Sequence, residues 1–148
     1  MRMMSLLPAA AGLSLVASLS LASPALAEMV KMTATMDGAH EVPANDSAGK
    51  GTADVTFDTD TKKLDWTIEY SGLSGPAMAG HFHGPAEPGK NADVQVPLKG
   101  ELASPIKGSA TITDEQAKDL MAGKYYVNLH TAAHKGGEIR GQVMKAGM

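Results

Sequence analysis

The sequence predicts an all-β fold, an antiparallel β-sandwich or Greek-key barrel of about eight short strands with one short helix near residues 114–122. Three observations carry this reading. Apolar and polar residues alternate with a period of two over most of the chain, as half-buried antiparallel strands require. Each run is short and ends at Gly, Pro, Asn or Asp, and the 16 glycines and 8 prolines supply the turns. Only one stretch switches to helical spacing.

The strands follow in order. Val30, Met32, Ala34 and Met36 alternate with Lys31, Thr33 and Thr35. Gly51, Ala53, Val55 and Phe57 do the same, and so do Leu64, Trp66, Ile68 and Tyr70. Asp58-Thr59-Asp60-Thr61 between these last two runs reads as a hairpin turn. Further strands are expected at Ala79–His83, Asp93–Leu98, Ile106–Ile112, Tyr125–His130 and Glu138–Met144. The helix starts at Thr113, a good N-cap with Gln116 placed for a capping box. Ala117, Leu120 and Met121 form its apolar stripe, and Gly123 suits its C-terminal stop. Two turns are too few to stand alone, so the helix should cover one end of the β structure.

Residues 1–27 read as a secretory signal peptide and residues 28–148 as the domain. Arg2 provides the positive start, Leu6 to Leu21 the mostly apolar run, and Ala25-Leu26-Ala27 the cleavage box before Glu28. Nothing after residue 27 is apolar enough to span a bilayer, so the expected location is secreted or periplasmic. The absence of cysteine excludes disulfides, thiolate metal sites and a cysteine nucleophile. A net charge of −3 with no Lys/Arg block argues against nucleic acid as a partner. The expected partner is an unidentified extracytoplasmic ligand or a metal ion. Asn45-Asp46-Ser47 matches a glycosylation sequon, a triplet that chance often produces.

The residues that carry chemistry are histidines. His81 and His83 lie two apart on one strand, so their imidazoles share a face about 6–7 Å apart. That arrangement suits two ligands of one copper or zinc ion, since both metals accept imidazole. His130 ends another strand and is the candidate third ligand. The plainer alternative is a pair of histidines hydrogen-bonded to backbone or carboxylate in a polar pocket. Glu41, Glu138 and Arg140 are candidate supporting residues. Glu138 and Arg140 can pair with each other or across strands to fix register. Gly141 inside a strand marks a close approach of other atoms. His40 is expected at the surface. His130 and His134 lack the adjoining glutamate of a zinc protease helix, and no triad, nucleophile elbow or phosphate loop is present. No catalytic residue is assigned, and the domain is read as a non-enzyme.

Four motifs in order resemble the CHRD domain, the module repeated in chordin and found singly in many secreted bacterial proteins. They are Glu41-Val42-Pro43, His81-Phe82-His83-Gly84-Pro85-Ala86, Tyr125-Tyr126-Val127-Asn128-Leu129-His130-Thr131 and Gly137-Glu138-Ile139-Arg140-Gly141-Gln142. The resemblance spans about residues 30–144 and implies a secreted, mainly β binding module with no defining catalytic activity. Chordin's growth-factor partner does not transfer to a lone domain. His134-Lys135 replaces the Asn-Pro or similar pair that often precedes the closing glycines, so His134 falls outside the shared pattern. His81, His83 and His130 fall inside it. A fainter likeness, to copper/zinc superoxide dismutases, rests on an exported β-sandwich with a His-x-His pair on a strand. This chain lacks that family's fuller ligand set and its disulfide. The alternative to a plain binding module is therefore a copper- or zinc-dependent periplasmic protein.

Overall fold

The computed structural model describes residue 23 and residues 26–147. The leader expected over residues 1–27 lies almost wholly outside the described residues. Among the described residues eight strands form: β1 Met29–Asp37, β2 Lys50–Asp58, β3 Lys63–Ser71, β4 Ala79–His83, β5 Val94–Pro97, β6 Ile106–Thr111, β7 Tyr125–His130 and β8 Ile139–Lys145. One helix, α1, spans Asp114–Met121, and a single 3-10 turn covers Gly38–His40. Among the described residues no helix is long and apolar enough to cross a membrane.

All eight strands join one antiparallel sheet in the order β5-β4-β7-β8-β1-β2-β3-β6. The expected strands are present, and of the sandwich and barrel arrangements the barrel-like one forms: a single curled sheet supplies both walls of the core. Its halves meet across the interior, where Trp66 on β3 packs against Phe82 on β4 with ring centroids 5.3 Å apart. The edge strands β5 and β6 face each other across a cleft lined by Val96, Pro97, Gly108 and Ala110. The sheet is therefore a nearly closed barrel with one open seam.

Alternation explains the first half of the sheet. In β1 every second residue from Val30 to Met36 is buried, and β2 and β3 repeat the pattern. Ala34 pairs with Ala53, which pairs with Ile68, so the inward residues lie in rows across the strands. The hairpin turn between β2 and β3 is held by the Asp58 carboxylate, which accepts from the amides of Asp60 and Thr61. The helix carries the expected capping box: Thr113 Oγ1 accepts from Gln116 N, and Gln116 Oε1 accepts from Thr113 N. Its Ala117 and Leu120 join the core, and Gln116 bridges to Gln95 of β5 at the barrel end.

The second half follows a different rule. β7 is buried on both faces from Tyr125 to Leu129. Tyr125, Val127 and Leu129 face the core. Tyr126 and Asn128 face outward yet are buried by two loops, 38–49 and 84–93, that fold over β7 and β8. The loops are tied together by Asn91 Nδ2, which donates to the Val42 carbonyl at 3.1 Å. Gly141 permits the close approach of β1 and β8 here, since a Cβ would run into the Thr35 carbonyl.

Candidate metal centre

Strand pairing builds the site. His81 sits directly opposite Asn128, His83 opposite Tyr126, and Ala79 opposite His130. His83 and His130 therefore lie on the two diagonals through the His81–Asn128 pair, within reach of long side chains. His81 and His83 rings are 5.4 Å apart edge to face, and His81 and His130 are 4.9 Å apart. One ring nitrogen from each of the three histidines lies within 4.8 Å of the others. His81 Nδ1 and His130 Nε2 are already 3.2 Å apart. Tetrahedral zinc with bonds of about 2.0–2.1 Å places its ligand nitrogens about 3.3 Å apart, a spacing the His81–His130 pair already has.

Backbone carbonyls orient two of the rings. His83 Nδ1 lies 3.0 Å from the Ala92 carbonyl, and His130 Nδ1 lies 2.8 Å from the Lys135 carbonyl. A carbonyl only accepts, so both Nδ1 atoms carry a proton, and in the neutral ring Nε2 then presents a lone pair. This carbonyl support is the usual second layer of a histidine metal site. Burial lowers the His81 pKa, and the nearby His130 and His83 lower it further. Burial also lowers that of His83, outweighing its hydrogen bonds to Ala92 and Asn128. Both shifts favour the neutral imidazole at His81 and His83, the form a metal needs. The cluster opens on a shallow depression of about 360 Å³ lined by Met78, His81, His130, Ala132 and Lys135.

Around the histidines, Tyr126 stacks on His83 with centroids 4.7 Å apart, and Arg140 Cζ lies 3.4 Å from the centre of the Tyr126 ring. Arg140 donates to Asn91 Oδ1 and to the Lys90 carbonyl, which pins the 84–93 loop. Glu41 is buried, and its Oε1 has no hydrogen-bond partner. Burial pushes its carboxyl up to about 7, against the lowering effects of the Arg140 charge and the Asn128 side chain.

Glu138 lies apart from the histidines. Its carboxylate accepts from Ser47 Oγ at 2.7 Å, Ser74 N at 2.8 Å, Ser74 Oγ at 2.8 Å and Thr131 Oγ1 at 2.6 Å. Burial alone would raise its pKa, but the bonds from Thr131, Ser47 and Ser74 win and hold it at about 2. Of the two pairings open to them, Glu138 and Arg140 do not take the mutual one: Glu138 gathers three loop hydroxyls and Arg140 binds the 84–93 loop. His40 is exposed as expected and bonds Asp37 Oδ1 at 2.6 Å. His134 stands outside the cluster, in a backbone turn with Thr131. The Asn45 side chain of the sequon is half-buried and spent on the Glu138 carbonyl and the Ser47 amide.

Sequence reasoning assigned no role to Asn128, Tyr126, Ser47, Ser74 or Thr131. Asn128 had a signal, a carboxamide in a strand whose neighbours Tyr126, Val127 and Leu129 are all bulky. Ser47 and Ser74 had none, because their meeting at Glu138 depends on loop paths.

The sequence profile of the CHRD domain matches residues 32–143. The chain therefore belongs to the CHRD family, and the domain occupies nearly all of it. No curated protein and no solved structure matches the chain significantly.

Proposed function

For this member of the CHRD family we propose an extracytoplasmic metal-binding module without catalytic activity, taking one divalent copper or zinc ion on His81, His83 and His130. One observation supports this above the others. Three ring nitrogens converge within 4.8 Å while backbone carbonyls hold two of the rings with their lone pairs turned toward the same point. Simple hydrogen-bonded scaffolding can use His81 Nδ1 as donor to His130 Nε2, but leaves His83 Nε2 facing the Asn128 oxygen. Copper ranks above zinc on affinity alone, and imidazole suits both. The leader-like residues 1–27 support export of the domain.

The test is direct. The tag-free full chain, expressed with export, is dialysed against buffer and assayed for metal and intact mass. One equivalent of copper or zinc, on a protein beginning at Glu28, is the expected result. A protein that takes up neither ion in titration would refute the metal reading, and one retaining residues 1–27 would refute the processing.

A further inference from the structure

Resting on the histidine reading, we propose that the carboxamide oxygen of Asn128 is the fourth ligand, completing an N3O set for a divalent cation. Asn128 Oδ1 lies 3.0 Å from His83 Nε2 and 3.0 Å from His130 Nε2. Both nitrogens are lone-pair bearers, because their rings spend the Nδ1 proton on the Ala92 and Lys135 carbonyls. An acceptor oxygen thus faces two acceptor nitrogens, of which only His130 Nε2 has a ring donor in reach, His81 Nδ1 at 3.2 Å. A cation placed among them converts three repelling lone pairs into three bonds. The spacings are close to the edge of a tetrahedron about a zinc-sized ion, about 3.3 Å for bonds near 2.0–2.2 Å.

The rest of the side chain holds the oxygen there. On the other side of the carboxamide lies the buried Glu41 carboxylate, whose Oε1 has no hydrogen-bond partner. In this orientation Nδ2 faces that carboxyl, and the Asn128 side chain favours its charged form; turning the amide over would give up that interaction. Gly137, at φ 127°, makes room for this arrangement: a Cβ there would come within 2.7 Å of Asn128 Nδ2 and would also strike Glu41 Oε1. The glycine before Glu138 is therefore part of the site's support. An oxygen donor beside three imidazoles favours a divalent ion over cuprous copper, which prefers sulfur. It also fills the fourth position that a catalytic zinc site leaves open, in keeping with a binding role.

The experiment measures zinc affinity of the full chain by competition with a chromophoric chelator, and the visible spectrum of the cobalt(II) form. Asn128→Leu keeps the size and removes the oxygen; Asn128→Asp keeps an oxygen and adds charge. We expect Asn128→Leu to lose at least about tenfold in affinity and to change the cobalt bands as water replaces the ligand. Asn128→Asp should bind more tightly and shift the cobalt bands, since a coordinated carboxylate alters the ligand field and a nearby free charge does not. Wild-type affinity and an unchanged cobalt spectrum in Asn128→Leu would overturn the assignment. If Trp66 emission shows that Asn128→Leu is unfolded, an unchanged cobalt spectrum in Asn128→Asp overturns it instead. Failure of the wild type itself to bind zinc or cobalt would refute the histidine reading and this one with it.

Discussion

The two halves of the sheet solve the same problem differently. In β1, β2 and β3 the inward face is apolar and the outward face meets water, so one residue in two decides stability. In β7 and the start of β8 both faces are buried, and the outward face carries Tyr126, Asn128 and Arg140 beneath two loops. Buried polar groups require partners, so this half is wired by side-chain hydrogen bonds to loop backbone. The Tyr126 hydroxyl and the Ala92 peptide, Gln142 and the carbonyls of Ala86 and Gly123, and Arg140 and the Lys90 carbonyl are such links. The comparison teaches that the first half is scaffold and the second is a polar core that fixes loops around the histidines. His81 and His83 belong to the second half because β4 pairs with β7.

The largest effect expected is at the contact that joins the halves. Trp66 is 6% exposed, packs on Phe82 and is the only tryptophan. Trp66→Ala should cost about 3–5 kcal/mol, the range for aromatic truncation in a core. Urea unfolding followed by far-ultraviolet circular dichroism measures it. A loss below about 1 kcal/mol would mean that the two walls do not depend on each other.

The next effect separates the histidines themselves. His83→Ala removes a buried ring that is fixed by Ala92 and stacked on Tyr126. Metal affinity should fall by more than about 100-fold, since loss of even a supporting residue costs about 10–100-fold. His40→Ala, on the exposed turn after β1, should leave affinity unchanged. Equal losses in the two variants, read by isothermal titration with zinc, would place the binding elsewhere.

Much of this division was legible in the sequence. The period of two in Val30–Met36 and Gly51–Phe57 located the scaffold strands, because water on one face enforces alternation. His81 and His83 were legible as a pair for the same reason, and His130 through its motif. The curl of the sheet was not, since period-two residues look alike whether they face a second layer or the far wall of one barrel. The partners of Glu138 and Arg140 were equally hidden. Both residues sit at the start of β8, where spacing suggests a mutual pair. The loops that claim them come from residues 47, 74 and 90–91, far along the chain.

A smaller effect tests the loop wiring of the second half. Glu138→Ala leaves the hydroxyls of Ser47, Ser74 and Thr131 without their common acceptor. Ser74 is exposed and can turn to water, so the net cost should be about 1.5–3 kcal/mol, that of a charged hydrogen bond. The pH dependence has a definite sign. Glu138 titrates at about 2 in the folded protein against an ordinary 4.5. Its contribution is therefore complete above pH 4.5 and is lost as pH falls toward 2. In Glu138→Gln that segment of the stability curve should flatten; a curve parallel to wild type between those values would show that the carboxylate is not held ionised by its loop partners.

The smallest effect is expected on the outward face of the scaffold half, and it sharpens the comparison most. Thr33 in β1 is exposed and pairs across to Asp54 in β2. It occupies the outward face of its strand, as Asn128 does in β7. Thr33→Val keeps the β-branched shape that suits a strand and removes only a hydroxyl that water already satisfies. Stability should change by no more than about 0.5 kcal/mol, the usual limit for surface positions, and metal affinity should not change. The same removal of polarity at Asn128 strips a buried group that faces two histidines and crowds a carboxylate. The contrast follows from solvent alone: one outward face is covered by loops and the other is not. If Thr33→Val destabilises the protein by more than about 1 kcal/mol in urea, the outward face of β1 and β2 is covered in solution, and the scaffold half has a binding surface of its own.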